Sequence, residues 1–302
     1  MSKMQENFNF LTDRVLDALN KTNLEETRNI LRSIKTPTIV TGVGGSKVVA
    51  VFTSKILAAK NNIISTCLEP RDILYTPLTG YNNILACSYS GTNFGVQTSF
   101  KNDLNKYLLS STKVEGVANI TYETSLPKEK SFISLAATLI PMTIMLDYYL
   151  NGNDLILELL NQDLPVIAPK PVYEIMSGID TSTAHTYLES TMLEAGLSLP
   201  IVHDKYSYCH GRSTTSYHNN HSLIYFDKDT ELDKLMISEL INYYEKIIIL
   251  KSKYQDPIID EYYLTIRSML LTKVLADKTH KDLSKVEYSP VVKKLYKYQG
   301  EM

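Results

Sequence analysis

Short apolar runs alternate with longer helix-compatible stretches along this 302-residue chain, and the alternation occurs twice. In the first half, residues 38–41, 63–68, 84–87 and about 114–120 read as strands, with helices over about 48–59, 94–109 and 132–150. Strands separated by helices of about a dozen residues cannot pair as hairpins, so they form parallel sheets with helices on both faces. A lead-in over 6–34 carries Phe10, Leu11, Val15, Leu16 and Leu19 at helical spacing. Residues 161–171 hold Pro165, Pro169 and Pro171 with weak periodicity and read as a linker.

The alternation then restarts. Strands are predicted at 172–176, 199–202, 223–226 and 247–250, and helices at 181–196, 231–245 and 258–277. A long polar loop covers 203–221, and Asp180 is the expected N-cap of the helix that follows it. The predicted fold is α/β, with two tandem units, each a mostly parallel sheet flanked by helices. Residues 1–160 form the lead-in and first unit, and 161–302 the second. The shared plan points to an internal duplication of the fold, although the residues show little self-similarity.

Ligands of such sheets sit at the carboxyl ends of the strands. Two loops of the first half leave strand ends and are expected to face one crevice. One is Ser88-Tyr89-Ser90-Gly91-Thr92-Asn93, after an apolar strand and before a helix. Hydroxyl and amide donors at a helix start suit a phosphate, and glycine allows close backbone approach. The same residues also suit a polar turn with helix caps. The other loop, Gly42-Val43-Gly44-Gly45-Ser46-Lys47, lacks glycine at the sixth position of the dinucleotide fingerprint and fails the Gly-Lys-Ser/Thr ending of a P-loop. Glu69, at the end of the next strand, stands where a ribose-binding acid would. The better reading is a loop passing over a small ligand with Ser46 as a hydroxyl donor.

Function classes narrow further. A net charge of −2 provides no basic field for nucleic acid or an anionic membrane. Cys67, Cys87 and Cys209 are scattered and form no CxxC, which fits a reduced, cytoplasmic protein. Residues 1–10 lack a basic-then-apolar signal. The apolar stretch 132–150 contains Ser134, Thr138, Pro141, Thr143 and Asp147 and reads as a buried helix, not a membrane span. The loop holding His203, Cys209, His210, His218 and His221 lacks the closely paired spacing of structural zinc sites, so no metal is assigned. Taken singly, Glu194 reads as a solvated helix carboxylate and Lys285 as one lysine of a basic tail that includes Lys293, Lys294 and Lys297.

Together these pieces resemble the sugar isomerase (SIS) domain family, and in particular the isomerase half of glucosamine-6-phosphate synthase and the fructosamine-6-phosphate deglycases. The resemblance rests on the Ser-x-Ser-Gly loop after the third strand and on Glu194 standing 16 positions before His210-Gly211. Leu283-Ser284-Lys285-Val286 adds a counterpart to a Leu-Ala-Lys-Ser segment. It covers about residues 30–302, with units at 36–150 and 171–290. It implies aldose–ketose isomerisation, or deglycation or deamination, of a sugar phosphate through an enediol(ate), with no metal or redox cofactor. By that resemblance, Ser88, Ser90, Gly91, Thr92 and Asn93 hold the phosphate, and Ser46 approaches the sugar. Glu194 is the base, His210 opens the ring, and Lys285 stabilises developing negative charge. A homodimer is implied, because His and Lys can cross a subunit boundary in such enzymes. The chain departs from the family pattern at Ser207, at Thr92-Asn93 and at Arg212, which could clamp a second anionic group. The rival reading is a non-catalytic phosphosugar sensor.

Overall fold

The computed structural model describes residues 3–129, 131, 133–218, 221–285 and 291. Three helices lead in: α1 (Lys3–Asn9), α2 (Leu11–Lys21) and α3 (Leu24–Ser33). They precede β1 (Thr38–Thr41), α4 (Gly45–Asn61), β2 (Ser65–Leu68), β3 (Asn83–Cys87), α5 (Phe94–Ser99), β4 (Asn105–Ser110), β5 (Ala118–Thr121) and α6 (Ala136–Leu150). After α7 (Ile156–Leu160), residues 161–170 have neither helix nor strand. The second series is β6 (Val172–Ser177), α8 (Ser182–Glu194), β7 (Leu199–Asp204), α9 (Ser213–His218), β8 (Ser222–Asp227), α10 (Glu231–Leu240), β9 (Lys246–Lys251) and α11 (Pro257–Lys278).

The strands form two wholly parallel sheets, ordered β2-β1-β3-β4-β5 and β7-β6-β8-β9. The first four positions of one sheet repeat the order of the other, so the duplication expected from the coarse plan appears as topology. In each sheet the strand order reverses beside the first strand of its series, between β1 and β3 and between β6 and β8. A crevice opens at such switch points.

The helix expected over 94–109 is corrected by the structure. It ends at Ser99, and β4 occupies the second half of the remainder. Lys101-Asn102-Asp103 breaks it: the Asn102 amide donates to the Ser99 carbonyl (2.6 Å), and its side-chain oxygen accepts from Leu104 N–H (3.0 Å). An asparagine that bonds its own backbone in this way competes with helix continuation. Asp180 is likewise not the N-cap of α8. It sits in a single 3-10 turn, Ile179–Thr181, and Thr181 occupies the cap position.

Helices α4, α6, α8 and α11 pack between the two sheets, and one apolar core runs through both units. Phe52 of α4 lies 6.0 Å from Tyr262 of α11, ring to ring, and the Tyr262 hydroxyl meets Thr143 of α6 at 2.6 Å. Helix α6 is buried on nearly every face, in keeping with its largely apolar sequence. Its one acid, Asp147, takes a two-pronged hydrogen bond from Arg28 of α3 (2.9 and 2.7 Å). Its first turn is capped by Glu129, whose carboxylate accepts from Leu135, Ala136 and Ala137 N–H. Among the described residues, no helix is long and apolar enough to cross a membrane.

Candidate functional site

The crevice of the first sheet is built by close approaches that glycine permits. A Cβ on Gly42 would lie 2.3 Å from the Ser46 carbonyl oxygen, so the tight turn from β1 into α4 needs glycine. A Cβ on Gly45 would strike Ser134 Cβ at 2.5 Å and Thr138 Oγ1 at 2.8 Å. One on Gly95 would meet Val43 Cγ2 at 2.8 Å. The loop after β1, the loop after β3 and the start of α6 therefore converge, and Ser46 stands in the first turn of α4. Ser134 and Thr138 join this neighbourhood unannounced by any motif, because only the packing of α6 against α4 brings them there.

The loop after β3 is held largely by its own side chains. Ser88 is buried, and its Oγ accepts from Gly91 N–H (3.2 Å) and from the Asn93 amide (3.0 Å). Asn93 caps α5 by accepting from Val96 N–H (2.9 Å). Ser90 Oγ accepts from Thr92, and Thr112 Oγ1 donates to the Ser90 carbonyl (2.6 Å). Ser90, Thr92 and Asn93 face solvent, while Gly91, at φ +69, turns inward. Its missing side chain makes room for Leu108 and Val114, either of which a Cβ would meet at 3.0 Å. Helix α5 has six residues, so its dipole adds little and the polar character of the loop comes from its hydroxyl and amide groups.

The corresponding loop of the second sheet is already filled. The Asp233 carboxylate accepts from Lys228 N–H (3.1 Å), Thr230 N–H (3.2 Å), Thr230 Oγ1 (2.7 Å), the Tyr225 hydroxyl (2.8 Å) and the buried Lys205 ammonium (2.9 Å). A protein carboxylate thus gathers the donors of this loop, whereas the loop after β3 is held by hydroxyl and amide groups.

Helix α8 brings the second unit to the first crevice. Glu194, at its last turn, places Oε1 3.8 Å from where a Cβ on Gly44 would be, and Gly44 itself has φ +58. As a residue Glu194 is open to solvent, yet the surrounding protein desolvates its carboxylate enough to raise the pKa above the ordinary carboxylate value. A hydrogen bond from Ser190 Oγ (3.0 Å) works in the opposite direction. Nearby, Lys47 pairs with Glu69 at 2.7 Å, and that contact raises the lysine's pKa. Glu69 is therefore committed to an ion pair on the rim. His185 of α8, bonded to Ser177 Oγ, is pushed down to about 4 by burial and by the charges of Lys55 and Lys47.

The other expected site residues stand apart from this cluster. His210 and Arg212 are exposed in the segment after β7, where Arg212 donates to the Val202 carbonyl (3.3 Å). Lys285 is 78% exposed at its side chain, with Nζ 3.6 Å from Asp282. Among the described residues, no hydrogen bond or ion pair joins His210, Arg212 or Lys285 to Glu194. Val286 and the tail lysines Lys293, Lys294 and Lys297 lie outside the described residues, as does the His218 side chain. His203 and His221 both turn to Glu174. Among the described residues, no group of three or more His, Cys, Asp or Glu side chains could hold a metal ion.

No protein-family model matches the chain, and no curated protein sequence matches it. Solved structures do. A Clostridium difficile 630 protein named as a candidate phosphosugar isomerase superposes with a TM-score of 0.73 at 13% identity, covering 98% of each chain. Tagatose-6-phosphate ketose/aldose isomerase from Escherichia coli gives 0.69 at 11% identity, covering 96% of each. Glucosamine-6-phosphate deaminase from Thermotoga maritima gives 0.67 at 13% identity, covering 95% of each. Two parallel sheets of matching strand order, the switch-point crevice and these full-length superpositions together give the chain a sugar isomerase (SIS)-type fold, the fold of phosphosugar isomerases and deaminases.

Proposed function

We propose that this chain binds a sugar phosphate and catalyses proton transfer between its C1 and C2 positions, in an aldose–ketose isomerisation or a deglycation or deamination that passes through the same enediol(ate). The observation that carries the reading is the meeting of Glu194 with the glycine loop beside the Ser88–Asn93 cradle. The loop residues Ser88, Ser90, Thr92 and Asn93 would hold the non-reacting phosphate end, with Ser46 nearer the sugar. Glu194, with its pKa raised by desolvation, would be a stronger base than an ordinary carboxylate. His210 would move the ring-opening proton, and Lys285 would offset charge on the developing oxyanion. Arg212 would contact a second anionic group of the substrate. The reading includes a homodimer in the cytoplasm, with His210 and Lys285 completing a site across the subunit boundary.

One observation favours a second reading, the non-catalytic sensor: Lys285 is exposed and paired with Asp282, away from Glu194. Incubation with a panel of sugar phosphates in deuterium oxide separates the two. An enzyme incorporates deuterium at C2 of an aldose or C1 of a ketose, and Glu194→Gln lowers the incorporation by about 10²–10⁴-fold. A sensor gains thermal stability from the same ligand with no incorporation, and that result would overturn the enzymatic reading.

A further inference from the structure

Glu174 is a charged residue in the middle of β6, a central strand, and it is fully buried. Its strand neighbours on that face pack against α10 in a small core with Met176, Leu223, Tyr225, Met236 and Tyr244. Burying an ionised carboxylate in such surroundings costs several kcal/mol unless donors surround it. Four donors do. His203 Nε2 lies 2.8 Å from Oε2 and His221 Nδ1 lies 2.9 Å from Oε1, while the Ser216 and Tyr244 hydroxyls donate to Oε2. The Tyr244 hydroxyl also lies 2.8 Å from Ser216 Oγ and 3.0 Å from the Tyr208 hydroxyl. These hydrogen bonds outweigh the desolvation and hold the carboxylate's pKa at about 2. Among the described residues, His203 Nδ1 has no hydrogen-bond partner.

The donors are not spread evenly over the fold. His203 lies on β7 immediately before the 205–213 segment, Ser216 lies on α9 after it, and His221 precedes β8. Tyr208, inside the segment, joins through Tyr244. One carboxylate therefore ties both ends of the stretch that carries His210 and Arg212. A sheet face needs no charge to pack, and an apolar residue of similar volume at this position would often serve stability as well or better. The tie to one segment is what an apolar residue could not make.

We infer that Glu174 is a positioning residue, fixing through Ser216, His203 and His221 where the 205–213 segment holds His210 and Arg212. The catalytic part of this inference rests on the proposed function; the structural part does not. In the full chain, Glu174→Gln keeps the volume but presents an amide donor to groups that themselves donate. The loss of hydrogen bonds to a charge should quicken amide hydrogen exchange in 205–213 by about ten- to a hundredfold. Exchange in 182–194 and 222–227 should stay within about twofold of the parent protein. Deuterium incorporation at C1 of fructose 6-phosphate should lose about tenfold in kcat with little change in KM, since the phosphate cradle is untouched. Ser216→Ala, measured in the same way, covers the case in which Glu174→Gln does not fold. Unchanged exchange in 205–213, or an equal rise across all three segments, overturns the inference. So does normal kcat in a variant whose 205–213 segment is loosened. If the parent protein itself leaves fructose 6-phosphate unlabelled, that outcome counts against the catalytic part alone, and the exchange measurement still decides the positioning.

Discussion

Glu194 Oε1 stands 3.8 Å from the position a Cβ on Gly44 would take, so the last turn of α8 in one unit reaches the glycine loop of the other. Protein on that side replaces water around the carboxylate, and its pKa rises. A base acts only when ionised, so turnover should climb as pH rises through a pKa above the ordinary carboxylate value. Ser190→Ala removes the hydrogen bond that opposes the rise and should move this limb to higher pH. Glu194→Gln should lower C2 exchange by about 10²–10⁴-fold. Profiles of kcat/KM against pH for the three proteins check this, and a limb unmoved by Ser190→Ala would assign it to another group.

Ser88 holds the loop after β3 together, accepting from Gly91 N–H and Asn93, and in the proposed function this loop binds the substrate phosphate. Ser88→Ala leaves both donors without that acceptor and removes a hydroxyl from the loop. Calorimetric affinity for fructose 6-phosphate should fall by about ten- to a hundredfold. Thr230→Ala, in the corresponding loop already filled by Asp233, should leave that affinity unchanged.

The Lys55 ammonium of α4 meets the buried Glu261 carboxylate of α11 and also donates to the Ile179 carbonyl (2.6 Å), joining the two units. Lys55→Met leaves Glu261 buried without its counter-charge, at a cost of about 3–5 kcal/mol. The double variant Lys55→Met/Glu261→Leu should recover most of that loss. Urea unfolding followed by circular dichroism reads both, and equal destabilisation of the single and double variants would contradict the account.

Glu174 predicts an acid limb of stability. Its folded pKa of about 2 lies below the ordinary glutamate value. A depressed folded pKa stabilises fully above the unfolded value, and the contribution is lost as pH falls from about 4.5 towards 2. The loss is roughly 2–3 kcal/mol for this group. Asp17, also held near 2 by Ser125 and Thr124, adds in the same direction. Urea unfolding at about pH 6 and about pH 3 should show a smaller difference in Glu174→Gln than in the parent protein.

Much of the fold was legible because its signals are local. Apolar strands ending in Gly or Ser, each followed by a helix, mark parallel βα units whatever lies elsewhere in the chain. The misread stretch was 94–109, where Tyr107, Leu108 and Leu109 suit either a helix or a buried strand. Asn102 decided between them by bonding its own backbone. The glycines of 42–45 were legible as close approaches, but Ser134 and Thr138, which they approach, carry no pattern that announces them. His203 and His221 invited a metal reading as neighbours in a polar loop. Their actual partner, Glu174, sits on a strand in the interior, where a pass along the sequence sees one acid among apolar residues.

By itself the sequence determined the alternation of strands and helices, the parallel sheets this compels, and the polar loops at the strand ends, because hydrophobic periodicity and turn chemistry act over a few residues. Tertiary structure alone decided which loops share a crevice and that Glu194 reaches Gly44. It also decided that Asp233 gathers the donors of one loop while hydroxyl and amide groups hold Ser88–Asn93, and that one buried carboxylate gathers the segment holding His210. Those outcomes depend on how α4, α6, α8 and α11 pack between the two sheets, and that packing brings together side chains remote in the chain.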